Sequence, residues 1–192
     1  MEDERIKKIR EFATEKYSEY YMNVHILPVV RNSLMLAKKL KINPEVVEVS
    51  SYLHDIGRAK NIVGRDEKDH ESVGAKKAEE FLEKLGYKDK FIERVKICIF
   101  SHSSNSLFDS KDVEVEILRN ADAMAHFDSF LDLFAYFYKK DNFNIKKTVE
   151  FVKDKINRDW NKKISIPEAR EIAKPKYRAI ILLINSMEEN LK

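Results

Sequence analysis

Breakers and cross-links are scarce in this 192-residue chain, which has 4 glycines, 4 prolines and one cysteine. So little glycine and proline leaves few residues for the tight turns that many short strands require, and favours long helices. A single cysteine excludes an intrachain disulfide and a thiolate zinc site. Cys98 lies in the apolar run Val95-Lys96-Ile97-Cys98-Ile99-Phe100, the setting of a small buried hydrophobe. No stretch approaches the ~18 uninterrupted apolar residues of a membrane span. The opening MEDERIKKIREFATEKY lacks the apolar centre of a signal peptide. The expectation is a soluble cytoplasmic protein in a reducing compartment, with no membrane partner. Charge of one sign is missing too. Lys and Arg number 36 against 33 Asp and Glu, a net of +3, with no concentrated basic face to suggest nucleic acid. Lys7-Lys8, Lys38-Lys39 and Lys139-Lys140 read as solvated helix faces and ends.

What is present is helical periodicity. Residues 2–21 carry Ile6, Ile9, Phe12 and Ala13 on one stripe. Pro28 suits the first turn of a second helix through Leu34, Leu36, Ala37 and Leu40, and Asn43-Pro44 starts a third that ends at His54-Asp55. Residues 56–66, with two glycines and several basic groups, read as the main loop. A helix from about Glu67 to Leu85 stops at Gly86, a helix-ending glycine. Further helices are expected over 89–101, 112–126 and 127–140 (the last two as one bent helix or a pair), 144–159 and 167–190, with a polar loop from Ser101 to Lys111. Strand-like alternation is not sustained anywhere, so the chain reads as one all-α helical bundle over residues 1–192.

The doublet His54-Asp55, in SSYLHDIGRAK, concentrates the chemistry. Adjacent helical residues point about 100° apart, so the two side chains meet at one centre only where the helix ends or bends. Ile56-Gly57 supplies that ending. His25 lies upstream. His70 shares a stripe with Gly74, Ala78 and Phe81, above a glycine that permits close approach. His102 continues the stripe of Ile92, Val95 and Ile99. Asp122 lies one turn from His126 on an Ala/Met/Phe face, with no Lys or Arg on its own stripe. A buried carboxylate is costly unless paired or metal-bound. A lone inward histidine is more often a hydrogen-bonded core residue than a ligand, and Asp55 or Asp122 taken singly could be a cap. Imidazoles and carboxylates from several helices together are what a divalent metal site requires.

The order His25 … His54-Asp55 … Asp122 resembles the HD-domain superfamily of metal-dependent phosphohydrolases. The context fits as well: HILPVVRNSLMLAKKL around His25, VVEVSSYLHDIGR around the doublet, HESVGAKKAEEFL and ICIFSHSS beyond it, and RNADAMAHFD around Asp122. The resemblance covers about residues 20–130 and implies a single domain whose remaining helices complete the bundle. It implies His25, His54, Asp55 and Asp122 as metal ligands. His70 and His102 match the additional histidines of the members that bind two metals, with Asp55 bridging. One or two ions of Mn, Mg, Fe, Ni or Zn are the expected cofactor. The implied activity is hydrolysis of a nucleotide or other small phosphate ester, with Asp55 in the catalytic centre and Arg58 and Lys60, joined by Arg65, meeting substrate phosphates. Those cations read equally well as solvated loop residues. The residues after the doublet lack the Glu-Asp pair of the guanosine-tetraphosphate hydrolases, and the cyclic-di-GMP phosphodiesterase signature is absent, which disfavours both specificities. A two-iron oxygenase and a non-catalytic metal- or nucleotide-binding module are the alternatives. Homo-oligomerisation stays open, as does the place of His126, beside the ligands or facing substrate.

Overall fold

A computed structural model describes residues 4–59, 70–103 and 112–191, and these contain helices and turns but no strand. The all-α reading is correct. The first expected helix stops early, as α1 (Glu4–Lys16), and Ser18 then caps the single turn α2 (Glu19–Tyr21) by accepting from the Tyr21 amide at 3.1 Å. A π-helical turn, Met22–Ile26, leads into α3 (Leu27–Leu40), with Pro28 in its first turn. Next come α4 (Glu45–Leu53) and a 3₁₀ turn, Ile56–Arg58. The chain continues as α5 (His70–Lys84) and α6 (Asp89–Ser101), joined through Gly86 at φ +74°. The region over 112–140 is two helices, α7 (Val113–Asp128) and α8 (Phe130–Lys140), parted at Ser129. Helix α9 (Ile145–Arg158), a second π turn at Asp159–Lys163, and α10 (Pro167–Asn190) follow. Among the described residues, no helix is long and apolar enough to cross a membrane.

Two hydrophobic cores lie back to back. One gathers Ile9, Ile26, Leu53, Leu82, Val95 and Ile99 from the first six helices. The other gathers Leu36, Val152, Ile156, Ala169 and Ile184 from α3 and the C-terminal helices. Helix α7 separates and serves both. Its Val115, Leu118, Ala121 and Ala125 face the first core, and Ile117, Ala123, Met124 and Phe127 the second. Residues 120–125 of α7 are buried on every side of the helix, and Asp122 is carried there at 4% exposure.

Gly57 does a different job from the one its place in the sequence suggests. It is not in the left-handed region; the only glycine that is, among those described, is Gly86. Instead the 3₁₀ turn packs on α5 so closely that a Cβ on Gly57 would stand 2.1 Å from the His70 carbonyl oxygen and 3.0 Å from the Gly74 amide nitrogen. A Cβ on Gly74 would in turn lie 3.3 Å from the Gly57 nitrogen. The two glycines together let α5 set His70 against Asp55.

Candidate metal centre

Breaks in regular helix position most of the cluster. His25 lies inside the π turn Met22–Ile26, where an extra residue in the turn shifts the helical register. His54 ends α4, and Asp55 follows at φ −105°, ψ 15°, outside helical geometry. That kink is what allows neighbouring residues to serve one centre. His102 ends α6, His70 is the first described residue of α5, and Asp122 comes from the buried α7.

The six residues converge. His25 Nε2 is 3.2 Å from His54 Nε2, 3.3 Å from Asp122 Oδ1 and 3.7 Å from Asp55 Oδ2. His54 Nε2 is 3.6 Å from the same Asp55 oxygen. The other oxygen, Asp55 Oδ1, lies 3.6 Å from His102 Nε2 and 3.9 Å from His70 Nε2. Asp55 therefore turns one oxygen to each pair of histidines. Of the three cations predicted in this region, Arg58 is in place on Asp55, with Nε 3.2 Å from Oδ1. Lys60 and Arg65 lie outside the described residues.

Local hydrogen bonds orient the rings. His54 Nδ1 donates to the Ser51 carbonyl at 2.9 Å, and His102 Nδ1 to the Ile99 carbonyl at 2.7 Å. With Nδ1 carrying the proton, each neutral ring turns an Nε2 lone pair inward, which is the tautomer a metal takes. Asp55 Oδ1 is buried and accepts no well-aligned hydrogen bond among the described residues; its charge is met by the Arg58 guanidinium at 3.2 Å as an ion pair. Donors ~2.0–2.2 Å from one ion stand roughly 3–4.4 Å apart, and among the described residues three groupings have their donor atoms within 4.8 Å of one another: His25/His54/Asp55, His25/Asp122/His126 and Asp55/His70/His102. The residues present fit a divalent cation. Their nature does not name the ion.

Electrostatics favour the charged form of Asp55 and Asp122 and the neutral form of His25, His54 and His70. Burial pushes Asp55 up, but His54, His102 and Arg58 outweigh it and hold the group well below the usual carboxylate range. Burial likewise opposes ionisation of Asp122, and Lys163, His126 and His25 overcome it. Burial lowers His25 to about 3, against the pull of Asp122, and lowers His54 and His70 as well. Tyr21 donates its hydroxyl proton to Asp55 Oδ2, and burial together with that carboxylate raises the phenol well above its normal value.

Three partners had no signal in the sequence. Lys163 places Nζ 2.5 Å from Asp122 Oδ2, supplying from the second π turn the cation that the stripe of α7 lacks. Asp159, from the same turn, holds His126 Nδ1 at 2.9 Å, and Lys155 approaches Asp159 at 3.3 Å. His126 consequently turns Nε2 toward the cluster, 3.9 Å from Asp122 Oδ1, and stacks on His25. Tyr21 is the third. Lys163 and Asp159 are separated from their partners by 41 and 33 residues. In sequence they look like ordinary members of a charged stretch.

The family model of the HD domain matches residues 24–126, more than half of the chain. Nothing among curated proteins matches. Two solved structures share the fold. One is a predicted HD superfamily hydrolase from an uncultured Thermotogales bacterium, with a TM-score of 0.66 at 18% identity over 97% of this chain and 92% of that one. The other is Bacillus subtilis YpgQ in complex with ADP, with a TM-score of 0.73 at 15% identity over 96% of this chain and 97% of that one.

Proposed function

The chain belongs to the HD-domain family, and on that premise we propose that it is a metal-dependent phosphohydrolase acting on a nucleotide or another small phosphate ester. The observation that carries this reading is the division of Asp55 between two histidine pairs, Oδ2 toward His25 and His54 and Oδ1 toward His70 and His102. His25, His54, Asp55 and Asp122 would hold one divalent ion, and His70 and His102 with Asp55 Oδ1 a second. The mixed nitrogen and oxygen donors suit Mn, Mg, Fe or Ni and do not select Zn. A divalent ion bound there lowers the pKa of a coordinated water and polarises a phosphoryl oxygen, the two needs of phosphoester hydrolysis.

The chain's own groups would do the remaining work. Arg58 carries a side chain 51% exposed at the edge of the cluster, and its planar fork suits two phosphate oxygens at once. Lys60, two residues on, has the same role in this reading. Tyr21, Ser51 and Ile99 fix the orientation of Asp55, His54 and His102. Nucleotides are favoured as the substrate class because the B. subtilis neighbour was solved with ADP. A cytoplasmic location belongs to the same reading, where reduced Cys98 and nucleotides are at home.

The test is a hydrolysis screen of metal-stripped protein over nucleotides, phosphomonoesters and phosphodiesters, with each of the five ions in turn. Product from at least one class with Mn²⁺, abolished by chelation, is expected. No product from any substrate with any ion would sink the proposal. The same two-sided Asp55 would serve a two-iron oxygenase, and oxygen consumption after loading with Fe²⁺ would identify that case. Tight nucleotide binding without turnover would identify a binding module.

A further inference from the structure

The two halves of the cluster differ in one respect that bears on how many ions it holds. In the outer half, Asp55 Oδ1 and the Nε2 atoms of His70 and His102 form a set of three donors. Arg58 already occupies two of them. Its Nε lies 3.2 Å from Asp55 Oδ1, and its Nη2 lies 2.6 Å from His70 Nε2 and 3.3 Å from His70 Nδ1. On the other side of the ring, His70 Nδ1 stands 3.0 Å from Glu71 Oε2. A guanidinium nitrogen 2.6 Å from one ring nitrogen and 3.3 Å from the other lies over the His70 ring, not along either lone pair. An ion held by Asp55 Oδ1 and His70 would meet the guanidinium charge on that same carboxylate oxygen and against that same ring. Among the described residues no cation sits on the donors that face inward; Asp55 Oδ2 there takes the neutral Tyr21 hydroxyl. Lys163 sits behind Asp122 on Oδ2 and leaves Oδ1 facing His25.

We propose that Arg58 is a built-in competitor for the outer ion: while its guanidinium rests on Asp55 and His70 the cluster binds one divalent cation, and when a phosphate group draws the guanidinium away the cluster binds a second. The proposal rests on the reading of the cluster as a metal centre and adds a rule for its filling. The exposure of the Arg58 side chain gives it somewhere to go. Two cations cannot share one carboxylate oxygen beside one imidazole ring at contact distance without strong repulsion, even after solvent screening is allowed for. A phosphate offers the guanidinium a doubly charged bidentate partner in exchange. Phosphate and the second ion would consequently bind with positive coupling, each strengthening the other by the same factor.

Manganese titration of the metal-stripped protein, followed by the loss of the free-ion signal in electron paramagnetic resonance, tests this without any turnover. The wild-type protein should take up one equivalent tightly and a second much more weakly. Arg58→Ala and Arg58→Gln should bind the second equivalent at least about tenfold more tightly and show the spin-coupled spectrum of a manganese pair. Arg58→Lys, which keeps a cation, should retain a weak second step, and His70→Ala should remove that step in every background. Inorganic phosphate should strengthen the second step in the wild-type protein and do so far less in Arg58→Ala. A second step that is unchanged, weaker or absent in both neutral variants, with the first step intact, overturns the competitor while leaving the metal centre standing. Absence of even the first step in the wild-type protein overturns both.

Discussion

Asp55 and Asp122 are two carboxylates of one cluster, 5% and 4% exposed, and their charges are balanced in different ways. Asp122 has a buried partner in Lys163, itself only 7% exposed, held in the second π turn. Asp55 has no such fixed ion. Tyr21 donates to one oxygen, four imidazoles stand around both, and the only full cation on it among the described residues, Arg58, is half in solvent. A buried ion pair is costly to break and contributes little by being whole, so the Asp122 side is a fixed wall. A carboxylate among imidazoles with a half-exposed guanidinium is prepared to exchange cations. The comparison teaches that charge count alone does not say which acid of a buried cluster is the working one. The mobility of its counter-charge does.

The largest expected effect breaks the working side. Asp55→Asn keeps an acceptor for Tyr21 but loses the charge, so metal content should collapse and hydrolytic turnover should fall by orders of magnitude. The unfolding free energy of the metal-free protein should change much less than in the next case. Elemental analysis beside steady-state kinetics and denaturant unfolding checks all three. An Asp55→Asn protein with full metal and turnover would erase the distinction drawn here.

Lys163→Met attacks the fixed side. It strands a buried carboxylate without its cation and should cost about 3–5 kcal/mol of stability. Adding Asp122→Asn to it should restore much of that loss, because the orphaned charge is then gone. Urea unfolding of the two single variants and the pair supplies the cycle. A loss under about 1 kcal/mol in Lys163→Met would place this pair with ordinary surface bridges.

Gly57→Ala should disturb one side only. Its Cβ would meet the backbone of α5 at 2.1 Å, and backbone cannot rotate away as a side-chain tip can, so a cost of about 1–3 kcal/mol is expected. The strain falls on the contact that brings His70 to Asp55 and spares Asp122 with Lys163. Histidine resonances of the metal-free protein should therefore shift for His70 and His102 and stay in place for His126.

Much of this was legible in the chain. The spacing of apolar residues marks most of the helices, and five of the six cluster residues carry a local clue: His54 and Asp55 a doublet at a helix end, His70, His102 and Asp122 a helical stripe. Stripes are short-range information and place the last three inward, whereas His25 entered only through the resemblance to the HD-domain superfamily. What sequence could not give was long-range pairing. Nothing in Asp159-Trp160-Asn161-Lys162-Lys163 distinguishes the lysine bound to Asp122 from the exposed one before it. Both π turns were hidden for a related reason. An extra residue within a turn leaves the apolar pattern on either side intact, yet one such turn carries His25 and the other carries Asp159 and Lys163. Arg58 was readable as a cation near phosphate, but its seat on His70 depends on how closely two glycines allow α5 to approach.

The smallest expected effect lies on the residue that joins the two sides. His25 faces Asp55 Oδ2 and Asp122 Oδ1 together, and burial still lowers it to about 3 in the metal-free protein. An unfolded histidine takes up its proton near pH 6.5. Between those values the unfolded chain binds a proton that the folded chain does not, so acidification favours unfolding, by about 1.4 kcal/mol per pH unit for such a group. His54, also lowered, adds in the same direction. The depressed carboxylates Asp55 and Asp122 begin to contribute only below about pH 4, where their unfolded counterparts titrate. Stability of the metal-free protein should thus start to decline near pH 6.5, well before any carboxylate is protonated. His25→Gln should flatten that limb by one proton's worth while leaving the steeper loss below pH 4 in place. Denaturant unfolding at pH 7.5, 6.0 and 5.0 for both proteins measures the slope. A flat wild-type profile over that range would mean that the two carboxylates hold His25 charged, and that the two sides of the cluster are less separate than their counter-charges imply.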